Sequence, residues 1–142
     1  MIRQATAVWS GGLKDGKGNL TTGSKALSGV PYDFRMRFEE APGTNPEELI
    51  AAAHAGCFSM ALSGELGKAN ITAQSITTTS KITLEPVDGK PTVTKSELTT
   101  TIKAPGADRA AVQAAADGAK AGCPISRLLS NLQISLTTTI EV

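Results

Sequence analysis

Long runs of one charge and long runs of apolar residues are both missing from this 142-residue sequence, whose formal net charge is +1. The first absence removes the electrostatic footprint that nucleic acid or an anionic membrane surface needs, so neither is expected as a partner. The second removes a membrane span: the longest apolar-leaning segment, Leu49 to Leu62, includes His54 and Ser59 and falls short of the ~20 residues a bilayer requires. The start, Met1 to Trp9, alternates like a strand and lacks a charged segment followed by an apolar one. No signal peptide is read there, and a soluble cytoplasmic protein is expected. Aromatic residues are few, and Trp9, Tyr32 and the three Phe are not interleaved with basic residues. They are assigned to the core rather than to a platform for stacking bases. One His and two Cys make a short ligand set for a metal.

The scarcity of cysteine is itself informative. A domain of this length buries about two thirds of its unfolded surface without staples. In a reducing compartment two cysteines are therefore a core thiol, a metal ligand or a redox pair rather than a structural disulfide. Asn70-Ile71-Thr72 matches a glycosylation acceptor, which carries no meaning in the cytoplasm.

What is present reads as one α+β domain over residues 1–142. Residues 4–10 and 18–24 form short strands around Gly11-Gly12 and Asp15-Gly16, a hairpin opening a meander. Tyr32, Phe34, Met36 and Phe38 alternate with Asp33, Arg35, Arg37 and Glu39, which predicts a half-buried strand over 32–39. After Ala41-Pro42-Gly43, Thr44 or Asn45 caps a helix with Pro46 at its first position and Glu47 and Glu48 in its first turn. That helix runs to about Lys68, and its small residues from Ala51 to Cys57 suit a buried helix in close contact with its neighbours. Segments 75–87 and 92–103 around Asp88-Gly89-Lys90-Pro91 predict a long hairpin. Asp108 caps a second helix through Lys120, Gly122-Cys123-Pro124 interrupts it, residues 125–129 form a further helical piece, and 132–142 close the chain as a strand. The order suggests antiparallel sheet packed on two main helices.

The two thiols differ in setting. Cys57, mid-helix between Gly56 and Phe58, reads on its own as a small buried core residue. Cys123 precedes Pro124 at the start of a short helix, where unpaired N–H groups and the helix dipole favour thiolate. Such a pair suits peroxide chemistry, because a sulfenic acid on one sulfur is rescued from over-oxidation by condensing with the other. A peroxide-attacking thiolate also needs a cation. Arg35 or Arg37 could supply it, held by a carboxylate such as Glu47, although a solvated strand face and an acidic first turn explain these residues as well. Glu47 and Cys57 lie ten residues apart on one helix, roughly 15 Å along its axis. If both serve one site, an arginine bridges them or Glu47 comes from a second subunit, and the small-residue helix suits pairing with its symmetry mate. His54, three positions before Cys57, raises a Cys-His dyad or half a metal site; no Asp or Asn is evident to orient the ring, and a structural histidine is the plainer reading.

The stretches Pro31 to Glu39, Gly43 to Leu62 and Ala119 to Ser126, with the opening Trp9-Ser10-Gly11-Gly12, resemble the OsmC/Ohr peroxidase family along essentially the whole chain. The resemblance implies an intertwined homodimer with central helices between sheets, and a thiol peroxidase that reduces organic hydroperoxides and hydrogen peroxide in stress defence. No metal or bound cofactor is implied. By the same resemblance Cys57 is the peroxidatic residue, Cys123 the resolving one, Glu47 the carboxylate of the Asn-Pro-Glu motif and Arg37 the arginine of Arg-Phe-Glu. A dithiol, such as a dihydrolipoyl protein, would be the reductant. Tyr32, Phe58 and Met60 are placed at an entrance for alkyl or lipid peroxides.

Overall fold

The computed structural model describes residues 1–142 and divides the chain into two compact units, Met1–Leu49 and Ile50–Val142. Each is described by itself.

In the first unit, β1 (Ala5–Ser10), β2 (Lys17–Thr22) and β3 (Val30–Tyr32) form an antiparallel meander in that order. Trp9 pairs with Gly18 and Gly18 with Tyr32, so the glycine lets the two rings approach over it to 5.4 Å between centroids. The strand predicted over 32–39 does not form beyond its first residue, Tyr32. Phe34–Phe38 is a short helix, α1. The side chain of Asp33 accepts a hydrogen bond from the Met36 amide at 2.9 Å, and this cap outweighs the alternating pattern. Helical spacing then brings Phe34 and Phe38 together at 4.8 Å, the i,i+4 pairing of one helix face. Asn45, not Thr44, caps the long helix α2 (Pro46–Lys68), accepting from the Glu48 amide at 2.8 Å.

The second unit holds the core. From α2 it takes Phe58, Leu62 and Leu66, spaced four residues apart and fully buried. They join Leu98 and Ile102 of β5 (Lys90–Lys103), Val112, Ala115, Ala116 and Ala119 of α3 (Arg109–Gly122), and Ile140 of β6 (Gln133–Glu141). Each large side chain so buried stabilises the fold by about 1.5–3 kcal/mol. Only one face of α2 is covered in the single chain: Ala52, Ala53, Gly56 and Met60 are exposed, where close packing on all sides was expected. The helix is also longer than the apolar segment from 49 to 62, and by length and composition it could cross a membrane. Its charged residues at both ends and its core-forming face give it the character of a core helix.

β4 (Ser75–Val87) and β5 form the long antiparallel hairpin, turned by Asp88 and Gly89 at φ 50° and 75°, the positive values a two-residue turn of this kind requires. β6 then lies beside β5 in parallel register, Ser96 opposite Ile134 and Ile102 opposite Ile140. The sheet is thus mixed, not wholly antiparallel. A parallel neighbour requires a crossover of a dozen or more residues, and α3 with α4 (Pro124–Leu128) provides it. That crossover is what carries Cys123 to its place.

Candidate active site

Cys57 sits on α2 one turn after the buried His54, and Cys123 at the junction between α3 and α4. The crossover brings the two sulfurs to 2.7 Å, in a thiol–thiol hydrogen bond. They are unbonded in this structure, yet already close to the ~2.05 Å of a disulfide. Cys123 is fully buried and Cys57 partly exposed, so the outer sulfur is the one a substrate meets first.

The sulfur that receives the α4 N-terminus is not the one expected. Cys123 caps α4 without a side-chain hydrogen bond, whereas the Ile125 amide donates to Cys57. Burial pushes the Cys57 thiol above its ordinary value, the hydrogen bond its protonated form makes with the Cys123 sulfur raises it further, and the Ile125 amide pulls it back in part. No cation is among the groups acting on it. A resting thiol in this setting is held protonated, and activation calls for a positive charge brought to it.

Within the first unit, Arg37 and Glu47 meet. The guanidinium donates through Nε and Nη2 to the Glu47 carboxylate at 2.9–3.3 Å, a forked geometry that fixes the arginine plane. Glu47 is the more covered partner, its side chain 12% exposed against 39% for Arg37. Arg35 instead faces solvent and pairs with Glu39 at 3.5 Å. Of the two candidate arginines, the carboxylate holds Arg37. The Arg37 guanidinium also lies 5.2 Å from the centre of the Phe38 ring, on a cavity of about 190 Å³ lined by Trp9, Leu13, Tyr32, Phe34 and Phe38. Tyr32 lines this hollow, whose wall also includes Asp33. Phe58 does not: it is fully buried in the core.

His54 forms no dyad with Cys57. Both ring nitrogens are taken, Nδ1 by the Ser96 hydroxyl at 2.7 Å and Nε2 by the Ser126 hydroxyl at 2.8 Å. Burial lowers its pKa and holds the ring neutral. No spacing rule in the sequence points to these serines, which come from β5 and α4; only the fold assembles them.

Three comparisons bear on this arrangement. The sequence model of the family described as "OsmC-like protein" matches residues 39–139. The chain is 47% identical to Peroxiredoxin OsmC of Escherichia coli over 127 residues, 89% of each protein. Among solved structures it is similar in fold to an OsmC-like protein of Mycoplasma pneumoniae, with a TM-score of 0.77 and 18% identity over 100% of this chain and 99% of that one. It is similar also to the organic hydroperoxide resistance protein OhrB of Bacillus subtilis, with a TM-score of 0.69 and 24% identity over 96% and 98%.

Proposed function

The chain belongs to the OsmC-like protein family, and we propose that Cys57 is its peroxide-attacking residue and Cys123 the residue that resolves the product. The protein is a thiol peroxidase acting on hydroperoxides in stress defence. The observation that carries the two-cysteine reading is the 2.7 Å separation of the sulfurs, which puts them within reach of a disulfide.

In the first step the Cys57 thiolate attacks the distal oxygen of the hydroperoxide. The O–O bond breaks, the leaving alkoxide takes a proton and departs as alcohol or water, and the sulfur, oxidised by two electrons, becomes a sulfenic acid. The Cys123 sulfur then attacks the Cys57 sulfur; an S–S bond forms, the S–O bond breaks and the hydroxyl leaves as water. A dithiol such as a dihydrolipoyl protein reduces the disulfide by exchange and restores both thiols.

Arg37 supplies the cation that Cys57 lacks, and the forked bond to Glu47 fixes its direction. It stabilises the thiolate and the negative charge developing on the departing oxygen. The hollow lined by Trp9, Tyr32 and Phe38 beside Arg37 suits the alkyl part of an organic peroxide. The working form is a homodimer, within which Glu47 serves either its own subunit's site or its partner's. Exposed apolar surface supports this: Met60 is 79% and Leu13 68% exposed, and all six residues of β1 are exposed, more than a single chain leaves to water without use. Neither nucleic acid nor a membrane is a partner in this reading, and the cytoplasm is its place.

The test is intact mass spectrometry of the reduced protein and its Cys57→Ser and Cys123→Ser forms after stoichiometric cumene hydroperoxide. The wild type loses two hydrogens, the Cys123→Ser form gains one oxygen and the Cys57→Ser form stays unchanged. Unchanged masses in all three folded proteins would overturn the assignment.

A further inference from the structure

The buried histidine repeats the cysteine contact one turn away. His54 lies three residues before Cys57 on α2, and Ser126 three residues after Cys123 on α4. The same two elements thus touch at two points: sulfur to sulfur, and imidazole Nε2 to the Ser126 hydroxyl at 2.8 Å. A third element braces the ring, since Nδ1 meets Ser96 of β5 at 2.7 Å and Ser96 meets Ser80 of β4 at 3.2 Å. His54 and Ser96 are fully buried and Ser126 is 4% exposed. No side-chain polar atom is left buried without a partner. One of these contacts must be made and broken in every cycle, while the other involves no redox-active atom.

From this juxtaposition we infer that His54 is a positioning residue for the second half of the reaction: through Ser126 it holds α4, and with it Cys123, in register with the Cys57 sulfur while the disulfide is open. The inference rests on Cys123 being the resolving residue. Once Cys57 carries a sulfenic acid the thiol–thiol hydrogen bond is gone, and the covalent tie is not yet formed. At that moment the His54–Ser126 bond is the side-chain contact that keeps Cys123 within reach. A neutral imidazole has one N–H and one bare nitrogen, so one serine accepts from the ring and the other donates to it. A hydroxyl at 126 serves either role, and a methyl serves neither. Peroxide attack draws on α4 only through the Ile125 amide that donates to Cys57, whereas closure also needs the Cys123 sulfur in place, so closure should respond more strongly than peroxide attack to loss of this bond.

The experiment uses the full chain as Ser126→Ala, Ser126→Thr and His54→Leu. Peroxide consumption and disulfide closure are followed separately by stopped-flow, and sulfenic and sulfinic acid by intact mass with and without dimedone. Ser126→Ala is expected to consume the first equivalent of peroxide at a rate within about twofold of wild type and to close the disulfide about tenfold more slowly, the scale of one buried hydrogen bond. Sulfenic acid then accumulates, and excess peroxide drives it to sulfinic acid. Ser126→Thr keeps the hydroxyl and restores closure, while His54→Leu, if folded by circular dichroism, repeats the defect. Closure at the wild-type rate in a folded Ser126→Ala protein overturns the inference, as does equal slowing of both steps. A wild type that forms no sulfenic acid and no disulfide instead overturns the cysteine assignment itself.

Discussion

Cys57 and Cys123, 66 residues apart in the chain, hold their sulfurs 2.7 Å apart while both are reduced. Their proximity depends on the parallel placement of β6 beside β5. Because that pairing demands a long crossover, α3 and α4 must pass over the sheet, and the break between them delivers Cys123 to the middle of α2. The same break turns the Ile125 amide toward Cys57. The Cys57 sulfur thus gains a donor from the first turn of the helix that Cys123 precedes.

Asp33→Ala should fray α1. Its carboxylate accepts the Met36 amide at 2.9 Å, and loss of such a cap costs about 1 kcal/mol, with a range of 0.5–2. Because α1 bears Arg37, the variant is expected to lose activity more than stability. Urea unfolding monitored beside peroxidase assays measures both, and an unchanged midpoint with full activity would show that the cap is dispensable.

The same residue marks the limit of what the sequence made legible. Periodicity located β1, β2, β6, the long hairpin, α2 and α3, because each is long enough for its pattern to be read, whereas the three-residue β3 (Val30–Tyr32) was not located. Over 32–39 two patterns coincide: Phe34 and Phe38 fit one strand face and also one helix face, and only the hydrogen bond from Met36 to Asp33 decides between them. The parallel direction of β6 depends on tertiary placement, and the strand pattern is the same either way. In the site, motif resemblance singled out Cys57, Cys123, Arg37 and Glu47, and the structure joins them as two pairs. Ser96 and Ser126 were invisible, since serine is common and their separations from His54, 42 and 72 residues, follow no local rule.

His54 makes stability depend on acid. Burial lowers its pKa in the folded chain, so the unfolded chain binds more protons as pH falls through the ordinary imidazole range. The contribution of this group is fully present above that range and is lost progressively below it. The wild type is expected to lose stability between about pH 7 and pH 5 more steeply than a folded His54→Gln variant, whose side chain does not titrate. Parallel urea midpoints across that interval would contradict the assignment.

Met60 tests the homodimer. It is 79% exposed on the face of α2 opposite the buried Phe58 and Leu62. In a monomer, Met60→Glu would change stability by no more than about 0.5 kcal/mol. Across a helix pairing of two subunits it places two carboxylates in an apolar contact, and dissociation is expected at micromolar protein. Sedimentation velocity reads this directly: a wild type that sediments as a monomer at all concentrations would remove the dimer from the proposal.

Arg37 and Glu47 should separate activity from stability. The pair is partly exposed, Arg37 39% and Glu47 12%, and ion pairs of this kind contribute only about 0–1 kcal/mol to folding. Glu47→Gln is therefore expected to unfold near the wild-type midpoint. Its kcat/KM for cumene hydroperoxide should fall at least about tenfold, because a neutral amide no longer fixes the guanidinium by charge-assisted bonds. Arg37→Ala goes further, since burial and the Cys123 hydrogen bond already raise the Cys57 thiol. In the proposed mechanism, where Arg37 is brought to Cys57, its loss leaves only the Ile125 amide to oppose them, so the midpoint of the rate against pH should move to higher pH. Arg37→Lys keeps the charge but not the fork and should recover the pH midpoint better than the rate. A pH profile identical in Arg37→Ala and wild type would show that the cation acting on Cys57 comes from elsewhere.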